Sequence, residues 1–232
     1  LMHVLRSLLF YLAFYFGSIF YVLAAWASIW LVPRWVQPIC NAWSGWHHWC
    51  VEHILRIRIE ITGQRPDHPA LYAVKHESMF EAIEMPHLFR HLSGFAKQEL
   101  FDIPGWGKAA KAYGLVAVAR DQGATALRTM LREVRPYIEE GRPIIIFPEG
   151  TRVKRGHQPQ LQSGFAALYK LLGLPVVPVA VDSRPQYAPR WKHKGTIRIH
   201  FGEEIPTGLS REEIEARVHA AINLLAGPAD AV

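Results

Sequence analysis

Between Arg6 and Arg34 the chain carries no charged residue, and the run from Leu8 to Val32, LLFYLAFYFGSIFYVLAAWASIWLV, is apolar almost throughout. As a helix it would reach about 37 Å, enough to cross a hydrocarbon core of about 30 Å. Such a stretch must find lipid or a protein surface. Trp26, Trp30, Trp35, Trp43, Trp46 and Trp49 follow in quick succession. Trp prefers the membrane–water interface, because its ring is apolar while its N–H needs a partner. Residues 35–55, apolar but dotted with His47, His48, Glu52 and His53, read as a second, interfacial segment. Two other readings compete. Ala25-Trp26-Ala27 has the form of a signal cleavage site, but the apolar run continues past it to Val32. A buried core helix would be unusually long.

Composition narrows the rest. Hydrophobic residues make up 50% and charged residues 20% of the 232 residues, which excludes a disordered chain. Lys and Arg number 26 against 20 Asp and Glu, a net +6 that fits an anionic partner such as a membrane surface, nucleic acid or a phosphorylated substrate. The two cysteines, Cys40 and Cys50, exclude a disulfide framework and a four-cysteine zinc site, and are read as reduced and structural. His47, His48, Cys50 and His53 raise the question of a metal site, since His47, Cys50 and His53 are spaced by three and would share one side of a helix, but the interleaved tryptophans fit an interfacial helix better. No metal is expected.

From Arg56 the pattern changes, which divides the chain into a membrane-associated helical segment, 1–55, and a domain at 56–232. Ile57–Ile61 alternates apolar and polar residues, a strand signature closed by Gly63. Leu71–Val74, Leu115–Ala119, Ile144–Phe147, Val176–Val181 and Thr196–Phe201 are further strand candidates. Helical stretches lie between them. One starts near Phe80 and meets Pro86 as a kink or stop. One runs from Ala124 to Glu140 with Pro136 inside and Gly141 after it, and one from Gly164 to Leu172 is stopped by Gly173. Ser210 opens the last helix with a capping-box spacing. Strands alternating with helices predict an α/β fold, a parallel or mixed sheet flanked by helices.

Chemistry-bearing residues gather where strands run out. In Lys75-His76-Glu77-Ser78-Met79-Phe80-Glu81, His76 is suited to general-base work, and a carboxylate on its other nitrogen would fix the tautomer. The five-residue offset lets His76 and Glu81 meet only if His76 lies in the turn and Glu81 in the first helical turn. Ser78 to Glu81 is also a capping box in its own right. Phe147-Pro148-Glu149-Gly150-Thr151-Arg152 follows the apolar strand, with Arg152 suited to a phosphate and Glu149 to a hydroxyl. Lys97, in Lys97-Gln98-Glu99-Leu100, and Arg120 add cations at two more strand ends. Each alone reads equally as a solvated charge. The sequence lacks a G-x-S-x-G elbow, a P-loop and a G-x-G-x-x-G fingerprint, which leaves a base that activates a substrate hydroxyl for direct attack.

These blocks resemble the glycerolipid acyltransferases, specifically the bacterial 1-acyl-sn-glycerol-3-phosphate acyltransferase group. The H-x4-[D/E] block at His76–Glu81, the K-x-E-L block at Lys97–Leu100 leading to Arg120, FPEGTR at 147–152 and the Val176-Val177-Pro178-Val179 block come in the family's order across roughly residues 55–225. The chain departs from the commoner form twice, with Glu81 for Asp and Lys75 for Asn; the extra methylene of Glu demands a different rotamer to reach the imidazole.

The resemblance implies acyl transfer from acyl-CoA or acyl carrier protein to the sn-2 hydroxyl of lysophosphatidic acid, giving phosphatidic acid without a covalent acyl-enzyme or cofactor. It implies His76 as base, Glu81 as its orienting partner, and Lys97, Arg152 and more weakly Arg120 as phosphate ligands, with Glu149, Gly150 and Thr151 shaping the acceptor site. Related acceptors, glycerol 3-phosphate or a phosphate-free lysolipid, are the alternative. A non-catalytic phospholipid-binding protein is another. The expected location is the bacterial inner membrane. Arg34, Arg56, Arg58, Arg65 and Lys75 after the apolar run, against Arg6 before it, put the catalytic domain on the cytoplasmic side. A shallow helical pair is expected rather than a single span.

Overall fold

The computed structural model describes residues 1–118 and 123–227. The apolar run forms one helix, α1 (Met2–Leu31), long and apolar enough to cross a membrane. Pro33 sits in a short 3-10 turn at its end, and α2 (Val36–His53) folds back against it. Trp43 Nε1 donates to Ser18 Oγ at 2.9 Å and Trp46 Nε1 to the Ala13 carbonyl at 3.3 Å, so the helices run antiparallel. A side chain at Gly17 would put its Cβ 2.3 Å from Trp46 Nε1, so glycine is what lets the indole lie flat on α1. Trp43 and Trp46 thus seal the hairpin, whereas Trp26, Trp30, Trp35 and Trp49 remain well exposed, as interfacial residues would.

The hairpin is docked onto the rest of the molecule at both ends. Near the start of α1, Lys192 N donates to Ser7 Oγ at 2.8 Å, Tyr11 Oη donates to the Arg190 carbonyl at 2.7 Å, and His3 stacks on His193. Towards its end, Val22 lies against Gly105 and the Lys108 ammonium sits 5.3 Å from the Trp30 ring centre. Phe10 and Phe14 are buried among His47, Trp43 and Tyr187. Each contributes about 1.5–3 kcal/mol by leaving water. The opposite face of α1 is exposed, from Leu5, Leu8 and Leu12 to Ile19, Leu23 and Leu31.

Seven strands form one sheet: β1 (Ile57–Thr62), β2 (Leu71–Val74), β3 (Ser93–Lys97), β4 (Leu115–Val118), β5 (Ile144–Ile146), β6 (Val176–Asp182) and β7 (Gly195–Phe201), in the order β1-β7-β6-β2-β5-β3-β4. All neighbours are parallel except β6 and β7, so the sheet is mixed, as expected. The helices are α3 (Met79–Phe89), α4 (Gln98–Phe101), α5 (Trp106–Tyr113), α6 (Gly123–Glu139), α7 (Gly164–Leu172) and α8 (Arg211–Ile222). Tyr72, Val74, Val177, Val179 and Ile197 face a core shared with Phe10, Phe14, Cys50, Leu55 and Phe80. Leu71, Ala73, Ile144 and Val176 face the other core, with Phe165, Ile214 and Val218. The sheet is therefore sandwiched, with the hairpin and α3 on one side and α7 and α8 on the other.

Pro86 ends neither α3 nor its own turn. It lies inside the helix, and the hydroxyl of Ser44 on α2 enters the ladder beside it: His87 N donates to Ser44 Oγ at 2.9 Å and Ser44 Oγ donates to the Ile83 carbonyl at 2.5 Å. A second tie joins the same helices. The buried Glu84 carboxylate of α3 accepts from His47 Nδ1 and His48 Nδ1, and His47 Nε2 accepts from Tyr187 Oη at 2.8 Å. Burial pushes His47 down, while the hydrogen bond to Glu84 lifts His48 above its usual value. Burial also opposes ionisation of Glu84, but the two imidazoles outweigh it and hold the carboxyl low.

The four residues weighed as metal ligands are otherwise engaged, His48 with Glu84. His47 is in this network, Cys50 is in the core, and His53 stacks on Trp49. His48, Glu84 and His87 do bring ligand atoms within 4.8 Å of one another, but the two imidazoles meet face to face, with centroids 4.3 Å apart. Cys40 and Cys50 are free thiols, and burial raises both.

Candidate active site

The carboxyl ends of the parallel strands β6, β2, β5, β3 and β4 lie along one edge of the sheet, where α/β folds bind ligands. His76 follows β2, FPEGTR follows β5 and Lys97 closes β3. The order of strands thus collects on one edge residues that are as much as 76 positions apart, His76 to Arg152. Arg120 lies outside the described residues.

His76 sits in the turn before α3. Its Nδ1 is 3.3 Å from Glu81 Oε2, and the ring stacks on Phe147 with centroids 4.3 Å apart. Glu81 is fully buried, while the His76 side chain keeps 15% of its surface exposed. The capping box is also formed: Ser78 N donates to the same Glu81 Oε2 at 3.0 Å, and Ser78 Oγ accepts from Phe80 N. The two readings of Glu81, helix cap and partner of His76, hold together. The other oxygen of Glu81 accepts from Ser183 Oγ, a residue just past β6.

The backbone that presents His76 is clamped from two sides. Val153 N donates to the His76 carbonyl at 2.7 Å, and His76 N donates to Glu149 Oε2 at 3.2 Å. Glu149 is 2% exposed, and its Oε1 accepts from the buried Lys75 ammonium at 2.5 Å. Lys75 also donates to Asn223 Oδ1 at 2.8 Å, beyond the end of α8. Glu149 therefore supports the His76 turn from beneath instead of meeting an acceptor hydroxyl, as the motif alone suggested. This pairing also gives a use to Lys75, where the commoner motif has Asn. Nearby, Glu77 Oε2 accepts from Ser183 N and Arg184 N, both at 3.1 Å, which fixes the turn after β6. Burial pushes the Glu77 carboxyl up to about 7.

Gly150 takes φ +71, and a Cβ there would lie 2.7 Å from Gln162 Cγ, so both backbone shape and space demand glycine. Thr151, Arg152 and Lys97 are exposed. Among the described residues, neither Arg152 nor Lys97 is held in an ion pair or side-chain hydrogen bond.

Residues absent from the sequence reading are Ser183, Asn223 and the stacking role of Phe147. Phe147 adjoins a recognised motif, whereas Ser183 and Asn223 are distant in sequence and carry no local signal.

A buried carboxylate on a part-exposed histidine, with the exposed Arg152 and Lys97 on the same strand edge, is an arrangement that can do general-base chemistry next to an anionic group. Residues 56–182 match the family described as Acyltransferase. The chain is 31% identical over 211 residues to a 1-acyl-sn-glycerol-3-phosphate acyltransferase of Pseudomonas aeruginosa, covering 85% of this chain and 79% of that one. It is 26% identical over 153 residues to a protein of the same description from Chlamydomonas reinhardtii, covering 64% of this chain and 46% of that one. The solved structure of the 1-acyl-sn-glycerophosphate (LPA) acyltransferase PlsC from Thermotoga maritima has the same fold, with a TM-score of 0.71 at 20% identity, covering 97% of this chain and 96% of that one. The chain belongs to the acyltransferase family. It is an acyl-transferring enzyme whose family-matching region begins at Arg56, directly after the hairpin.

Proposed function

We propose that the enzyme transfers a fatty acyl group from acyl-CoA or acyl carrier protein to the sn-2 hydroxyl of 1-acyl-sn-glycerol 3-phosphate, forming phosphatidic acid. The observation that carries this reading is the His76–Glu81 pair at the strand edge that also bears the exposed Arg152 and Lys97. With Nδ1–H donated to Glu81, the neutral ring keeps its lone pair on Nε2. Nε2 takes the hydroxyl proton as the acceptor oxygen attacks the thioester carbonyl, and the buried carboxylate stabilises the imidazolium that forms. Collapse of the tetrahedral adduct breaks the C–S bond, and the imidazolium returns the proton to the departing thiolate. Arg152 and Lys97 hold the acceptor phosphate through charge-assisted hydrogen bonds.

The hairpin serves this chemistry as a shallow anchor in the cytoplasmic face of a bacterial inner membrane. Its exposed face enters one leaflet, and its docked face keeps the strand edge beside the headgroups. The contacts of His3, Ser7 and Tyr11 with residues 190–193 favour this arrangement over a span, because a span would carry them to the far side.

The test is a panel of acceptors given one acyl-CoA and scored by lipid product. Phosphatidic acid from lysophosphatidic acid supports the proposal. Preference for glycerol 3-phosphate or a phosphate-free lysolipid would replace it, and the absence of any CoA release would point to lipid binding without catalysis.

A further inference from the structure

The proton bookkeeping around Glu81 has one solution. A backbone N–H only donates and a carboxylate only accepts. Ser78 Oγ accepts from Phe80 N at 3.1 Å and from the backbone of the third residue of α3, so its own hydrogen must go elsewhere. It lies 2.8 Å from Ser183 Oγ, and Ser183 Oγ donates to Glu81 Oε1. The chain therefore runs one way: Phe80 N–H to Ser78, Ser78 O–H to Ser183, Ser183 O–H to Glu81.

Glu81 Oε2 is meanwhile shared by His76 Nδ1 and Ser78 N. Both groups lie on one side of the carboxylate, and only Ser183 holds the other oxygen among the described side chains. Glutamate has one more rotatable bond than the aspartate of the commoner motif. Without a partner at Oε1, its carboxylate can rotate away from the imidazole while the cap survives through the Ser78 hydroxyl.

Ser183 is itself fully buried, and Glu77 fixes its backbone through the N–H groups of Ser183 and Arg184. A polar side chain buried this deeply is kept only with partners. Here its one donated hydrogen goes to the residue that orients the base.

We propose that Ser183 is a positioning residue for acyl transfer, locking the rotamer of Glu81 so that the carboxylate faces His76. It touches neither substrate nor the reacting atoms. The inference rests on the reading of His76 and Glu81 as base and orienting partner. A hydrogen bond to a charged group has a net worth that translates to about a 10-fold or greater effect on rate if it is needed only for alignment.

The experiment is steady-state and single-turnover kinetics on the full chain in detergent or vesicles, with lysophosphatidic acid and one acyl-CoA. Ser183→Ala should lower kcat about 10-fold while leaving KM for the acceptor within about 2-fold, because the phosphate ligands are untouched. In a Glu81→Ala background, Ser183→Ala should cost nothing further, since the two act as one unit. Should Ser183→Ala fail to fold, Ser183→Cys nearly preserves volume but offers only a weak thiol donor, and the same loss of kcat is expected.

A folded Ser183→Ala or Ser183→Cys enzyme with wild-type kcat overturns the proposal. So does an equal loss with and without Glu81, which would make the serine merely structural. His76→Ala, run alongside, separates the two levels. If it stays active, the general-base reading itself falls. If it is inactive while Ser183→Ala is normal, only the role of Ser183 falls.

Discussion

His76 Nδ1 lies 3.3 Å from Glu81 Oε2 across a five-residue offset that a straight helix cannot close. The contact exists because the helix begins between them: Ser78 is the N-cap of α3, so His76 is still in the turn while Glu81 stands on the first helical turn. The same oxygen that faces the imidazole caps the helix. A carboxylate with two duties gives a sharp prediction, because glutamine can perform one of them and not the other.

Glu81→Gln should keep the fold, since Gln also completes a capping box, with a melting temperature within a few degrees of wild type. Turnover should fall strongly, because an amide cannot stabilise an imidazolium as a carboxylate does. Near-normal turnover in this variant would reduce Glu81 to a cap.

His76→Ala should lower kcat by about 10²- to 10⁴-fold, roughly 3–5.5 kcal/mol of barrier, the usual contribution of a positioned general base. The fold should persist, because the ring is partly exposed and its backbone bonds to Glu149 and Val153 remain. A folded variant at near-wild-type rate would end the mechanism.

Arg152→Ala should raise KM for lysophosphatidic acid more than for a phosphate-free lysolipid, since the lost interaction is with the phosphate. Lys97→Ala should act in the same direction. Equal losses on both acceptors would make these cations structural.

Glu77 supplies a pH signature. Its folded-state carboxyl titrates at about 7 against an ordinary 4.5, so folding takes up a proton between these values. Stability should fall as pH rises through that window, and the cost of the buried charge is complete above it. Glu77→Gln cannot ionise, yet its amide oxygen can accept the same two N–H groups. The variant should therefore melt above wild type at pH 8, by at least about 2 °C, with the gap closing towards pH 5. A gap that does not change with pH would show that Glu77 is not the titrating group.

The anchor can be tested with a membrane-impermeant thiol reagent on Met2→Cys in oriented vesicles. The native thiols make a quiet background, with Cys40 pushed up to about 12 and Cys50 to about 11 by burial. Labelling should come only from the face that carries the catalytic domain. Labelling from the opposite face alone would establish a span.

Much of this fold was legible because its strands have strong local signals. Leu71–Val74 and Ile144–Ile146 are buried on both faces or nearly so and read as continuous apolar runs. Ser93–Lys97 carries no strand signal. Its sequence, SGFAK, has no β-branched residue, and Gly94 is there because a Cβ would come 2.9 Å from the Ile145 carbonyl oxygen on β5. Close packing between strands chose a residue that hides the strand. Helix α5 was hidden in the same way by Gly107, where a Cβ would collide with the Phe101 carbonyl. In the site, His76, Glu81 and the FPEGTR block were readable as motifs. The engagement of Glu149 by Lys75, and of Glu81 by Ser183, was not, since those pairs are 74 and 102 residues apart and depend on the order of strands.

The docking of α1 also sets an order of events during synthesis. Ser7 and Tyr11 find their partners at Lys192 and Arg190, 185 and 179 residues later in the chain. At about 5–20 residues per second, the ribosome delivers those partners roughly 10–40 s after the helix itself has emerged. Throughout most of that interval Phe10 and Phe14 have Trp43 and His47 of α2 beside them but lack Tyr187 and the rest of the finished core. If α1 is the shallow anchor proposed above, with one face in lipid, the bilayer is then the natural shelter for the whole of it. The hairpin would first lie deeper in the bilayer and rise as the finished domain draws the Phe10 and Phe14 face out into its core.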